Sequence, residues 1–364
     1  MNMTTETTTT SDAVRAAAPP SRLLRLDAEI KGLLVALIVL CALATLFAPN
    51  FATTGNLLDV LRQVAFTGII AYGMTLVIIA GEIDVSVGSA LAFSSALFGI
   101  LTASFHLSLL SAALGVIVLG VAIGAGAGAI RAYFNIPSFI VTLAMFSALR
   151  GAAMLMTDAI PIPILGESFE VWGSGAVLGV PVPALVMLVT FVVFTVVASR
   201  TTFGRSVYAI GGNAEAAHLS GIPVRRIRTV LFALTGGLAA ISGVLMTSRL
   251  GSGNPNIGYG VEFAVITSVI VGGASLSGGK GSMLGTLLGG LFIAVLNNAM
   301  VLLGINSYAQ DVANGIVVLL AVLVSSRSAG WGNAQDNAKK RVTISAGLVS
   351  PSFATRVDAI SHGP

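Results

Sequence analysis

Apolar residues in this chain come in runs close to a membrane-crossing length, parted by short polar, Gly- or Pro-containing breaks. A helix needs about 20 mainly apolar residues to cross the hydrocarbon core, with roughly 17 to 25 tolerated. By that measure the runs at 32–48, 64–80, 88–104, 107–130, 136–156, 180–198, 229–247, 262–273, 285–303 and 309–324 each predict a helix. The third and eighth are short and glycine-rich, so eight or nine full spans plus re-entrant pieces is the alternative to ten. The pattern predicts an all-α polytopic membrane protein with its spanning domain over 30–325.

The flanks break the pattern. Residues 1–29 are polar, low in complexity and end near the Pro19-Pro20 pair, which predicts a disordered cytoplasmic tail. The segment 326–364 predicts a second such tail. A signal peptide with 33–48 as its apolar region is the competing reading. A run about one full span long, starting that far into the chain, favours a span.

Composition agrees. Only 9% of residues are charged and 55% are hydrophobic, where soluble domains carry about 25% charged residues. No basic tract is interleaved with aromatics, which argues against nucleic acid as a partner. Cys41 is the lone cysteine and His106, His218 and His362 are scattered, so neither a disulfide framework nor a metal site is expected. The charges also orient the spans. With the N-terminus inside and a reversal at each span, only Arg62 and Arg249 of the 19 Lys and Arg fall outside, and Arg150 falls within a span. The short internal loops keep Arg131, Arg200, Arg205, Arg225, Arg226, Arg228 and Lys280, as the positive-inside rule expects, so both termini are expected in the cytoplasm. Arg150 is about 9 Å from the outer end of its span, which leaves snorkelling and an interior role both open.

One internal loop, 199–228, is longer and carries GGNAEAAHLSGIPVRRIR at 211–228. Asn213 suits an N-cap, Glu215 sits in the first turn, Gly221 suits C′, and Pro223 stops the helix. The helix implied, 214–220, has about two turns and is marginal in isolation. Ala214, Ala216 and Ala217 give it a small-residue face suited to a groove on a partner. The arginines after it predict a topology and headgroup anchor, with contact to a partner as the alternative.

EAAHLSG at 215–221 resembles the EAA-x-x-x-G loop of bacterial ABC importer permeases. FGRSVYAIGGNAEAAHLSGI (203–222), GEIDVSVGS (81–89), GGASLSGGKGSMLGTLLGG (272–290) and LNNAMVLLGINSYAQ (296–310) are similar to the ribose-type permeases of that family, in the family's order. Branched-chain amino-acid permeases share the layout and resemble the GGN-x-EAAHLSGI stretch less. The resemblance implies the ABC importer permease fold, working as a dimer of permeases in the bacterial inner membrane. It implies an ABC ATP-binding subunit docked on Asn213, Ala214, Glu215, Ala216, Ala217 and Gly221, and a periplasmic substrate-binding protein that delivers a monosaccharide or polyol. ATP and Mg would sit on that partner, with no cofactor on this chain.

GGASLSGGKGS fails as a phosphate loop, because Ala274 takes the first glycine's place and Gly281 stands where a Mg-ligating hydroxyl belongs. Segments 79–88 and 270–279 align without gaps at four identities, and interrupted helices at matching positions point to a transport pathway. Glu82, Asp84 and Ser86 in the first segment are either caps of the next helix at a water interface or gating and ion-pair groups. Asn297 and Asn298 are costly in a span unless bonded. They point about 100° apart, so one at most lines a path while the other bonds across helices. The glycine rows 120/124/128 and 281/285/289 predict close helix packing. An ion-coupled transporter with Glu82 and Asp84 as its ion site is the rival function. An intramembrane enzyme is a remoter one, since no catalytic set appears.

Overall fold

The computed structural model describes residues 28–164, 166–320 and 322–323. The tail expectation over 326–364 lies outside them, as does that over 1–29 except for residues 28 and 29, which begin the first helix. Each predicted run is helical. In chain order these helices are α1 (Ala28–Phe47), α2 (Thr54–Ile79), α3 (Val87–Ala103), α4 (Leu109–Phe134) and α5 (Ser138–Thr157). A short α6 (Glu167–Gly173) precedes α7 (Val182–Arg200), α8 (Thr202–Gly212), α9 (Ala214–Leu219) and α10 (Val224–Leu250). Then come α11 (Val261–Val271), α12 (Met283–Leu302) and α13 (307–320). Two small antiparallel pairs join β1 (Ile162–Pro163) to β4 (Ser252–Gly253) and β2 (Ala176–Val177) to β3 (Val180–Pro181). Seven of the described helices are long and apolar enough to cross a membrane.

The bundle has two ends. The α2–α3, α4–α5, α7–α10 and α11–α12 connections lie at the end that carries α9, and α6 with the strands closes the other. α2 and α10 form the buried centre, while α1 is largely uncovered and packs mainly along α12. α4 and α10 pack backbone to backbone, as the glycine row predicts. A Cβ at Gly124 would collide with Phe232 O, and one at Gly236 with Gly120 O. Gly285 and Gly289 do the same for α12 against Gly272 O and Ser268 O of the α11 end.

Several boundaries differ from the apolar runs, for local reasons. α2 starts ten residues before its run, because Thr53 caps it and its first turns carry Asn56, Asp59, Arg62 and Gln63. α10 starts directly after Pro223, so Arg225, Arg226 and Arg228 belong to its first turns and are no loop tail. α8 was not expected from the sequence. Thr201 caps it through Gly204 N at 3.1 Å, and Val207 and Ile210 turn inward.

α3 and α11 are the short members, at 17 and 11 residues, about 25 and 16 Å of rise. Both begin inside the bundle. From the α9 end, residues 82–86 run upward as non-helical chain to Asp84, which meets Thr235, about 16 Å along α10. From the other end, residues 252–260 descend along α3, from Gly99 and Ser95 to Gly88. The two helix starts meet where Gly88 packs on Gly258 O and the Glu262 carboxylate. Non-helical backbone at such depth survives only when protein groups satisfy it. Ser138 Oγ accepts from Ile83 N at 3.1 Å and Thr142 Oγ1 from Val85 N at 3.2 Å.

Candidate functional site: the α9 end and the charges behind it

α9 is six residues long and fixed at both ends. Asn213 Oδ1 accepts from Ala216 N at 3.0 Å. At the other end Gly221, at φ +83°, lets its N–H reach His218 O at 2.9 Å, while Ile222 N reaches Ala217 O at 3.1 Å. Capping follows the expected residues, with the helix one residue shorter. The alanine face does not act as one surface. Ala217 is buried against the rest of the chain, and Ala214 is half-covered. Ala216, Glu215, His218 and Leu219 are open, Leu219 at 79% exposure, which leaves an apolar side chain with nothing over it.

Beneath α9 three of the sequence stretches converge. Gly279 N donates to Ile79 O at 2.8 Å. Gly211 lies so close to both that a Cβ would overlap Ile79 O. Tyr208 Oη donates to Gly281 O at 2.8 Å. The foot of α8, the end of α2 and the 272–282 loop are therefore one joined unit. That explains the glycines, since side chains would hold these backbones apart.

Next to it lies a charge cluster. Glu82 is 2% exposed, with Arg131 Nε at 2.8 Å from Oε2 and Arg228 Nε at 2.7 Å from Oε1. One carboxylate thus ties the α2–α3 connection to the end of α4 and the start of α10. Of the two readings open for Glu82 the ion pair holds, and the anchor expectation for Arg228 is corrected. Glu82 is no cap at a water interface, and Arg228 is no headgroup anchor, because a buried carboxylate needs paired cations. Arg225 instead lies over the Tyr133 ring at 5.7 Å, and Arg226 is open. Asp84 does not cap α3; it closes the turn before it, in the interior: its Oδ1 accepts from Ser86 N at 2.9 Å and Ser86 Oγ at 2.6 Å, and Oδ2 from Thr235 Oγ1 at 3.1 Å. The void beside Asp84 and Ser86 is about 10 Å³, room for one water at most. The partners Ser138, Thr142 and Thr235 escaped the sequence reading. The i, i+4 spacing of Ser138 and Thr142 in an apolar span was the available signal.

Arg150 takes the interior role. It is 7% exposed, donates through Nη1 to Pro255 O at 3.1 Å and Ile257 O at 2.6 Å, and lies 4.0 Å above the Tyr259 ring. Snorkelling is ruled out by that burial. Asn298 is the amide that bonds across helices, exchanging bonds with Asn56 at 2.9 and 2.8 Å. Asn297 is half-buried, and its Oδ1 has no partner among the described residues. The ungapped alignment of 79–88 with 270–279 is not reproduced. α2 and α11 end in the same hydrogen-bond pattern with Gly81 matching Gly273, and α9 at Gly221 and α12 at Gly304 end in it too, so it marks a helix end and no repeat.

The family described as branched-chain amino acid transport system / permease component matches residues 56–324. The chain belongs to this permease family. It is 50% identical over 294 residues to the probable ABC transporter permease protein YphD of Escherichia coli K12, covering 81% of this chain and 88% of that one. It is 43% identical over 298 residues to the ribose import permease protein RbsC of Bacillus subtilis, covering 81% and 92%. It is 38% identical over 292 residues to the L-arabinose ABC transporter permease protein AraH of Azospirillum brasilense, covering 80% and 86%. No solved structure matches. As an ABC permease the chain is a multi-pass transport subunit, and ATP hydrolysis belongs to a separate subunit. An ATP-binding subunit and a substrate-binding protein are the partners such a permease implies.

Proposed function

We propose that this permease carries a monosaccharide or related polyol inward across a bacterial inner membrane, with both termini and α9 on the cytoplasmic side. The observation that carries the coupling role is α9 itself: capped at both ends, open along Leu219, and rooted in the joined ends of α2, α8 and the 272–282 loop. An ATP-binding subunit docks over Asn213–Gly221 and covers Leu219. ATP and Mg stay on that subunit. Displacing α9 then loads two lines at once, through α8 onto α2 and through Pro223 onto α10 and the Glu82 cluster. A second copy of the chain completes the translocation path, and a periplasmic binding protein supplies cargo at the α6 end. The names of the relatives, ribose and L-arabinose permeases, support a sugar over the amino acid in the family's description.

The test is co-purification with the ATP-binding subunit, together with uptake of labelled ribose, L-arabinose and L-leucine. Gly221→Pro forces φ toward −65° at a residue held at +83°. Glu215→Lys inverts the charge in the first turn. Both variants are expected to lose the complex. An intact complex in both removes the docking role, and uptake of leucine without either sugar removes the sugar assignment.

A further inference from the structure

Between α11, α12 and α13 a groove of about 410 Å³ opens on a face that the chain itself does not cover. Tyr259 and Phe263, each 60% exposed, supply aromatic surface, and Asp311 and Asn314 supply carboxylate and amide. Thr267 lines the wall but is buried, its hydroxyl donating to Phe263 O at 2.6 Å and left only an acceptor lone pair. The Asn314 Oδ1 is buried and has no partner among the described residues. Asp311 is exposed, four residues into α13, about 6 Å from its start. Beside the apolar α11 and α12, an exposed carboxylate near the start of α13 and a buried, unpaired amide about 10 Å along it are satisfied by protein or water and not by acyl chains.

Position adds to composition. Tyr259 precedes α11, which starts inside the bundle where the chain is non-helical. Broken helices of this kind mark substrate sites in transporters. The ring is held in place: the Arg150 guanidinium lies over one face while fixing Pro255 O and Ile257 O, so the exposed part of the ring is turned to the groove. Aromatic surface takes the C–H face of a sugar ring, and the carboxylate, amide and hydroxyl take its hydroxyls. A neutral polyol satisfies all of these at once, and an apolar solute leaves Asp311 and Asn314 unpaired.

We infer that the groove walled by Tyr259, Phe263, Thr267, Asp311 and Asn314 is the sugar-contacting part of the translocation path. This rests on the sugar-import reading. It assigns the contact to the α11–α13 face and away from Glu82, Asp84 and Ser86, which the fold closes off.

The experiment uses the full transporter with its ATP-binding and substrate-binding subunits. In a Cys41→Ser background, Asn314→Cys is treated with a charged, membrane-impermeant methanethiosulfonate, with Val192→Cys on the exposed side of α7 as the lipid-facing control. The Asn314 thiol is expected to react and to block uptake of labelled ribose or L-arabinose, and the control to stay inert. Asp311→Asn and Tyr259→Leu are expected to cut uptake about tenfold, the loss of one polar or stacking contact in transit. Co-purification with the ATP-binding subunit should be unchanged in both. An inert Asn314 thiol, or uptake within about twofold of wild type in both variants, overturns the proposal. Disulfide-linked Asn314→Cys dimers with undiminished uptake in Asp311→Asn make the groove an interface between copies, and also overturn it. Wild-type protein that takes up neither sugar fails at the earlier step, so the import reading falls and this proposal with it.

Discussion

Glu82 offers the sharpest test of how the α9 end is held. Its carboxylate is almost wholly buried, and its two partners, Arg131 and Arg228, have side chains 17% and 16% exposed. Replacing it with Gln keeps the shape and leaves two guanidiniums facing one another without a counter-charge. Breaking a buried pair by removing one partner costs about 3–5 kcal/mol, because the remaining charge stays desolvated. With an unfolding entropy of about 2.1 cal/mol/K per residue, the 364 residues convert that cost into a Tm lower by about 4–7 °C. The assay is thermal unfolding of the detergent-purified protein followed by size-exclusion fluorescence. Adding Arg228→Gln removes one of the orphaned cations. The double variant is therefore expected to recover part of the loss, a positive coupling in a double-mutant cycle. A Glu82→Gln protein that melts within about 1 °C of wild type refutes the argument. So does a double variant whose loss is simply the sum of the two singles.

Three further outcomes follow from the packing. Gly124→Val drives a branched side chain into Phe232 O and should prevent α4 from seating on α10, seen as loss of folded protein at the membrane. Asn56→Leu or Asn298→Leu alone strands the partner amide and should cost about 1 kcal/mol or more in thermal stability, while the double Leu variant should lose less than the sum of the two singles, the remainder being the Asn56 bond to Phe51 O. Gly211→Ala pushes the foot of α8 off Ile79 O, so ATP hydrolysis should persist while sugar uptake is lost; full coupling in this variant removes the joined unit from the mechanism.

The apolar runs carried the span pattern, because in a bilayer every backbone group must be satisfied within its own segment. A run of sufficient length has only the helix available, and that is why ten runs gave ten helices, the short third and eighth included. Capping of α9 was equally local: Asn213 and Gly221 act on bonds within a few residues. α8 was missed because its apolar positions are few and its loop setting hid the Thr201 cap. Polarity in apolar surroundings singles out Glu82, Asp84, Ser86, Asn297 and Asn298, but polarity alone does not separate a group bonded inside the protein from one open to cargo.

That distinction belongs to the tertiary structure. Glu82 finds Arg131 49 residues away, and Arg150 finds its carbonyls 105 and 107 residues on. Sequence spacing carries no record of such meetings, because they depend on how closely α4 approaches α10 and how deep the 252–260 segment descends. The chain by itself determined which segments are apolar helices and how the short α9 is capped. Only the packed fold decided which charges neutralise one another and which polar groups remain free, since electrostatic partners are set by distance in space and not along the chain.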